Sequence, residues 1–106
     1  MSQPDTSWFF CVASDALSVN KILEIQVGEK PVCLLRNTGK VFAFSATCPH
    51  SGAKLCEGRT DAQGRIVCPL HGYRFNPENG YNTSGEGYKL KTYTVKEEDG
   101  QIFVQL

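Results

Sequence analysis

The chain has 106 residues, 41% of them hydrophobic, which is enough for one domain with its own core. Its 11 basic and 11 acidic residues balance, so it lacks the basic excess typical of proteins that bind nucleic acid or anionic membranes. No apolar run approaches the about 20 residues of a membrane-spanning helix, and residues 1–7 do not resemble a secretory signal. We therefore expect a soluble protein without a nucleic-acid or membrane partner.

Strand patterns dominate both ends of the chain, and no long stretch keeps the 3.6-residue period of a helix. The glycine of residues 37–40 suits a hairpin turn, and the acidic run 97–99 before Gly100 predicts a second, solvated hairpin turn. Trp8, Phe9 and Phe10 are expected to pack in the core as part of the first strand, and a partner surface is the alternative. The predicted strands are 8–13, a strand through Leu23, Ile25 and Val27, 31–36, 41–46, 88–95 and 101–105.

The composition changes over about residues 47–83. Turns rich in proline and glycine surround Cys and His residues there, and only residues 66–68 and 73–76 have strand character. We predict a single all-β domain over residues 1–106, an antiparallel β-sandwich or barrel with a small site-bearing insert at about 47–83. We see no internal repeat beyond the two Cys and His motifs of this insert.

The cysteine count predicts the compartment. Five cysteines, an odd number in a chain without an export signal, favour a reducing compartment, predict a cytoplasmic location and argue against a disulfide framework. Cys11 and Cys33 lie in apolar strands and are expected to be buried small hydrophobes. Cys56 is expected to be a core or surface thiol and not a metal ligand.

Each of the two histidines lies close to a cysteine. Cys48 and His50 belong to a Cys-Pro-His sequence, and Cys68 and His71 belong to a Cys-Pro-Leu-His sequence. Glycines 52 and 72 follow the two motifs and remove side-chain bulk where a backbone would approach a cofactor. Two thiolates and two imidazoles that meet at one point predict a metal site.

Two kinds of metal site fit this donor set. Zinc accepts two cysteines and two histidines, but zinc fingers usually pair cysteine with cysteine and histidine with histidine along the chain. Here each motif contributes one of each. That order favours a two-iron cluster in which the thiolates bind one iron and the imidazoles bind the other. Zinc stays the rival hypothesis.

The motifs resemble those of the Rieske iron-sulfur proteins. The resemblance covers the two motifs, the segment Cys-Pro-Leu-His-Gly-Tyr-Arg-Phe-Asn at 68–76, and the strand around residues 90–93. It implies one [2Fe-2S] cluster, with Cys48 and Cys68 on the inner iron and His50 and His71 on the outer, redox-active iron. It also implies that Tyr73 can donate a hydrogen bond toward the cluster, and packing of this side chain is the equal alternative.

The resemblance also narrows the subclass. Rieske subunits of respiratory complexes carry a membrane anchor and an extra cysteine in each cluster loop, whereas Ala53 and Leu70 occupy the corresponding positions here. Catalytic oxygenase subunits need further histidines for a mononuclear iron. We therefore expect a low-potential ferredoxin that relays single electrons from a flavin reductase to an oxygenase or similar acceptor, without a catalytic residue or a small-molecule substrate of its own.

Two alternatives to this function stay open. The chain can be an accessory small subunit of a nitrite-reductase-like complex, or a structural zinc-binding interaction module. One departure from related ferredoxins concerns residues 84–87, which are Ser-Gly-Glu-Gly where those proteins have a proline-containing segment. We expect a looser shield over the cluster at this point.

Overall fold

The computed structural model describes residues 8–37, 39–49, 52–70 and 72–105. Regular structure in these residues consists of strands and two short 3-10 turns, Ser14–Ala16 and Leu55–Glu57. The strands are β1 (Trp8–Ala13), β2 (Ile22–Val27), β3 (Lys30–Asn37), β4 (Lys40–Ser45), β5 (Arg59–Thr60), β6 (Ile66–Val67), β7 (Arg74–Phe75), β8 (Thr92–Glu98) and β9 (Gln101–Gln105). No helix in this described part of the chain is long and apolar enough to cross a membrane.

Six of the strands form one antiparallel sheet in the order β1-β9-β8-β4-β3-β2. The outer strands of this order, β1 and β2, approach each other, so the sheet curls into a nearly closed barrel. Strands β5, β6 and β7 form a separate three-stranded antiparallel sheet between β4 and β8 in the chain. The predicted all-β barrel with a small insert is therefore confirmed.

Strand β3 is buried on both faces because it separates two hydrophobic cores. Its side chains alternate, so Val32 and Leu34 enter the barrel core whereas Cys33 and Leu35 enter a second core on the opposite face. All four are fully buried. The second core joins the barrel to the small sheet and also contains Phe44, Ala46, Cys48, Leu55, Ile66, Cys68, Phe75 and Leu90. The motif cysteines thus lie in the core that joins the two parts of the molecule.

The strands differ most from the prediction at three places. Strand β8 begins at Thr92 and not at residue 88, and the two-residue strand β5 was not predicted. The acidic run is not a solvated turn as a whole, because Glu97 belongs to β8 and its carboxylate lies 2.7 Å from the Arg36 guanidinium. Only Asp99 and Gly100 form the turn, and their φ angles of 52° and 76° suit a two-residue hairpin loop.

The expectation that Phe9 and Phe10 pack in the core is wrong. Their side chains are 40% and 54% exposed. Strand β1 lies at one end of the sheet order, and its pairing with β9 is irregular between Phe10 and Val12, which interrupts the strict inward and outward alternation. Phe10 contacts the ring of Phe103 edge-on across the strand pair, with ring centroids 5.9 Å apart.

Candidate metal centre

The two motif cysteines lie at the ends of two strands. Cys48 comes three residues after β4 ends, and Cys68 follows β6 directly. Both are thiols in the second core and each is only 1% exposed. The predicted partners His50 and His71 lie outside the described residues, so their assignment as ligands stays a prediction. The structure therefore brings the two predicted thiol ligands, 20 positions apart in the sequence, into one buried cluster.

The loops that follow the two cysteines, 48–53 and 68–73, have the same hydrogen bonds. In the first, the N–H of Cys48 donates to the oxygen of Ala53 at 2.8 Å, and the N–H of Gly52 donates to the oxygen of Cys48 at 2.9 Å. In the second, the equivalent bonds run from Cys68 to residue 73 at 2.8 Å and from Gly72 to Cys68 at 3.0 Å. Both glycines have a φ of 75°, which favours glycine over any other residue. The described parts of the two loops thus share the same closing hydrogen bonds and the same glycine conformation.

A third loop, 76–81, repeats the same pattern, so the expectation of no further repeat is wrong. The N–H of Asn76 donates to the oxygen of Tyr81 at 2.9 Å, and the N–H of Gly80 donates to the oxygen of Asn76 at 2.7 Å. The signal was present in the sequence, because all three loops have proline in the second position and glycine in the fifth. Here Asn76 replaces cysteine, and its side-chain oxygen accepts the N–H of Glu78 at 2.8 Å. The third loop closes on itself and offers no thiol.

Tyr73 connects the second cysteine loop to the segment 82–88. Its ring stacks on that of Tyr88, with centroids 6.0 Å apart and an interplanar angle of 30°. Desolvation is the main cause of the raised pKa of the Tyr73 phenol, and the charges of Glu86, Tyr88 and Cys48 raise this pKa further. The phenol thus lies within electrostatic range of both a motif thiol and the Glu86 carboxylate. Packing of this side chain against the second core is confirmed, and a hydrogen bond toward the cluster stays a prediction.

A disulfide joins Cys33 to Cys56, with Cα atoms 5.9 Å apart. The expectation of unpaired thiols at these positions is therefore wrong, and the argument against a disulfide framework did not anticipate this bond. Cys33 is a buried core residue as expected, but its partner comes from the 3-10 turn after the first cysteine loop. The parity of the cysteine count could not reveal this pair, since pairing depends on the fold. Cys11 is a thiol packed against the barrel core, and it is half-buried.

The donor set fits a thiolate-bound metal. Two buried thiols on glycine-closed loops are suited to bind as thiolates, because metal coordination compensates the cost of burying their charge. No group of three or more His, Cys, Asp and Glu residues gathers within the ranges that the structure describes, which include neither histidine. The cysteine pair is thus the part of the site whose placement is known.

The model of the Rieske [2Fe-2S] domain matches residues 7–104 of the chain. The chain belongs to the Rieske family. Membership means one [2Fe-2S] cluster per domain, the cofactor expected from the sequence. Cys48 and Cys68 occupy the two repeated loops of this Rieske domain, which agrees with a cluster bound at one side by thiolates.

The proteins to which this chain is similar include ferredoxins of oxygenase systems. The chain is 28% identical to the ferredoxin component of the alkene monooxygenase system of Xanthobacter autotrophicus, over 96% of this chain and 84% of that protein. It superposes on the ferredoxin of carbazole 1,9a-dioxygenase from Nocardioides aromaticivorans with a TM-score of 0.87 and 26% identity, covering 94% of this chain and 98% of the other. A chain in the solved complex of reduced oxygenase and oxidized ferredoxin of carbazole 1,9a-dioxygenase matches at 30% identity and a TM-score of 0.83, covering 92% of each chain.

The nitrite-reductase alternative has a weaker basis. A nitrite reductase small subunit from Mycobacterium tuberculosis has a TM-score of 0.85 with the chain at 22% identity, and covers 95% of this chain and 96% of that one. This likeness shows a shared Rieske fold.

Proposed function

We propose that this Rieske domain is a one-electron carrier that accepts electrons from a flavin reductase and delivers them to an oxygenase or a similar acceptor. The observation that carries the proposal is the match along 84% of the ferredoxin component of an oxygenase system. In this account the chain belongs to an oxidoreductase system and is not itself an enzyme. The expected cytoplasmic location stays a prediction, since the disulfide removes the argument from cysteine count.

We assign the cluster ligands to Cys48, His50, Cys68 and His71. The bound cluster would supply a single reversible electron, with its valence change on the iron that carries imidazoles in place of thiolates. The two repeated loops support this assignment because each buries its cysteine while its backbone closes through glycine. The chain's own task is then to shield the thiolates from water and to leave a short path to a partner.

The tips of the two cysteine loops support a path to a partner protein. Pro49 and Pro69 are exposed, and Leu70 is 57% exposed although it lies only two residues after the buried Cys68. An exposed leucine beside a buried redox site offers apolar contact area to a docked protein. Electron transfer between proteins needs such a contact and no substrate pocket.

The experiment reconstitutes the electron path. The purified protein is mixed with a flavin-dependent ferredoxin reductase and NADH, and then with an oxygenase, while the cluster absorbance is followed in a stopped-flow instrument. We expect reduction by one electron per chain and reoxidation by the oxygenase. A protein that accepts no electron, or passes none to any oxygenase tested, would refute the proposal.

A matched pair of variants tests the docking surface. Leu70→Ser should slow electron transfer to the partner about tenfold, because apolar contact at the loop tip is lost. Val19→Ser is the control, since the Val19 side chain is similarly exposed, at 60%. Val19 forms an isolated β-bridge with Arg36, near the end of β3 that lies away from the cysteine loops. Equal rates for the two variants would place the partner elsewhere.

A further inference from the structure

The segment 82–88 lies beside the second cysteine loop and is organised by a single side chain. The oxygen of the Asn82 side chain accepts the backbone N–H of Glu86 and that of Gly87, the latter at 3.0 Å. Its nitrogen is 3.0 Å from the backbone oxygen of Arg74, 3.2 Å from Ser84 Oγ and 2.9 Å from Glu86 Oε1. The half-buried Asn82 side chain therefore connects both ends of the turn to strand β7 through hydrogen bonds.

Ser84 extends this network. Its hydroxyl accepts the backbone N–H of Arg74 at 3.0 Å and donates to the Glu86 carboxylate. The segment is also closed by backbone bonds, from Thr83 to Arg74 at 2.8 Å and from Asn82 to Tyr88 at 3.2 Å. The expected loosening at residues 84–87 is thus opposed by a hydrogen-bonded turn that needs no proline.

The network reaches the second cysteine loop through one ring contact, and the Glu86 charge acts on the same tyrosine. Tyr88, at the end of the segment, stacks on Tyr73 of the loop that begins at Cys68. The Glu86 carboxylate and the Cys48 thiol both lie within electrostatic range of the Tyr73 phenol. A displacement of the segment would therefore uncover one side of the second cysteine loop and move a negative charge away from it.

We propose that Asn82 is a positioning residue for the redox centre, which holds the segment 82–88 as a cover against the second cysteine loop and keeps the reduction potential low. This inference rests on the proposed function. With two thiolate and two neutral ligands the cluster is neutral when oxidised and carries one negative charge when reduced, so water stabilises the reduced form more. The Glu86 carboxylate disfavours the same added electron. Opening the cover and displacing Glu86 both raise the potential.

The test compares Asn82→Ala with Asn79→Ala in the cluster-loaded protein. Asn79 caps the neighbouring loop through the N–H of Tyr81 at 2.9 Å, so its loss removes a similar hydrogen bond outside the network. We expect Asn82→Ala to raise the reduction potential and to lose cluster absorbance to a chelator about tenfold faster than the wild type, whereas Asn79→Ala keeps both properties. Ser84→Ala should shift both in the same direction by a smaller amount.

A double variant tests positioning by repair. Asn82→Asp with Glu86→Gln keeps the acceptor for the backbone N–H groups and reverses donor and acceptor between the two side chains. It loses the donor to the backbone oxygen of Arg74, so it should recover only part of the cluster lifetime lost in Asn82→Ala. Wild-type potential and lifetime in both Asn82→Ala and Ser84→Ala, or equal changes in Asn79→Ala, would overturn the inference. These outcomes are distinct from failure of the proposed function, in which the wild type itself holds no cluster or passes no electron.

Discussion

The Cys33–Cys56 disulfide is expected to supply a large part of the free energy of unfolding, and a reductant should remove that part. It closes the chain across a sequence separation of 23 residues, which include β4 and the first cysteine loop. Closing a loop of this length lowers the entropy of the unfolded chain by about 11 cal/mol/K, or about 3.4 kcal/mol at 25 °C. With a urea m-value of about 1.5 kcal/mol/M, the midpoint of unfolding should fall by about 2 M when the bond is lost.

The test compares the double variant Cys33→Ala and Cys56→Ala with the wild type, each with and without dithiothreitol. Unfolding in urea is followed anaerobically through Trp8 fluorescence and cluster absorbance, and coincident transitions are needed for a single free energy. We expect reductant to lower the wild-type midpoint and to leave the midpoint of the double variant unchanged. The insensitive variant thus controls for any effect of the reductant on the cluster.

Alkylation of the denatured protein tests the bond independently. Without reductant, mass spectrometry should find three modified cysteines, Cys11, Cys48 and Cys68, and after reduction it should find all five. Five modified cysteines before reduction, together with equal midpoints in the two conditions, would refute the argument from loop closure.

Three further changes have defined outcomes. Gly80→Ala should cost about 2 kcal/mol more of the free energy of unfolding in urea than Gly39→Ala. Both glycines have a φ near 80°, but a Cβ at Gly80 would lie 2.0 Å from a backbone oxygen, whereas a Cβ at Gly39 would meet no described atom within 4 Å. Equal costs for the two variants would count against the close approach at Gly80. The Arg36 hydrogen bond lowers the pKa of Glu97, so its stabilisation is present above the carboxyl's unfolded pKa and lost as the pH falls through the folded value. Glu97→Gln should therefore cost about 1 kcal/mol at pH 7 and less at pH 3, and a cost independent of pH would contradict this. His71→Cys should change the electron paramagnetic resonance spectrum of the reduced protein, because imidazole sets the electronics of the outer iron, and an unaltered spectrum would exclude His71 as a ligand.

Strands with a clear period could be predicted from the sequence. The alternation at residues 22–27 and the apolar run within β3 correspond to real strands, since burial on one face or on both leaves a direct trace in the hydrophobic pattern. Strand β5 has only two residues, Arg59 and Thr60, which is too short for any period. Exposure of Phe9 and Phe10 depends on the position of β1 at the end of the sheet order, which no local pattern encodes.

The gathering of the two motif cysteines was predictable from local sequence, whereas contacts that depend on the fold were not. The burial of Cys48 and Cys68 in one core agrees with their assignment as ligands, because each motif carries its own closing glycine. The disulfide joins a strand to a turn 23 residues later, and sequence spacing alone does not bring such cysteines together. The Asn82 network likewise connects side chains to backbone groups of β7, and only the folded chain reveals it.

The most direct test of the central claim is the metal and sulfide content of the purified protein. A Rieske centre predicts about two irons and about two acid-labile sulfides per chain, with an electron paramagnetic resonance signal after one-electron reduction. One zinc per chain without sulfide would contradict the electron-carrier account and support the structural zinc-binding module instead.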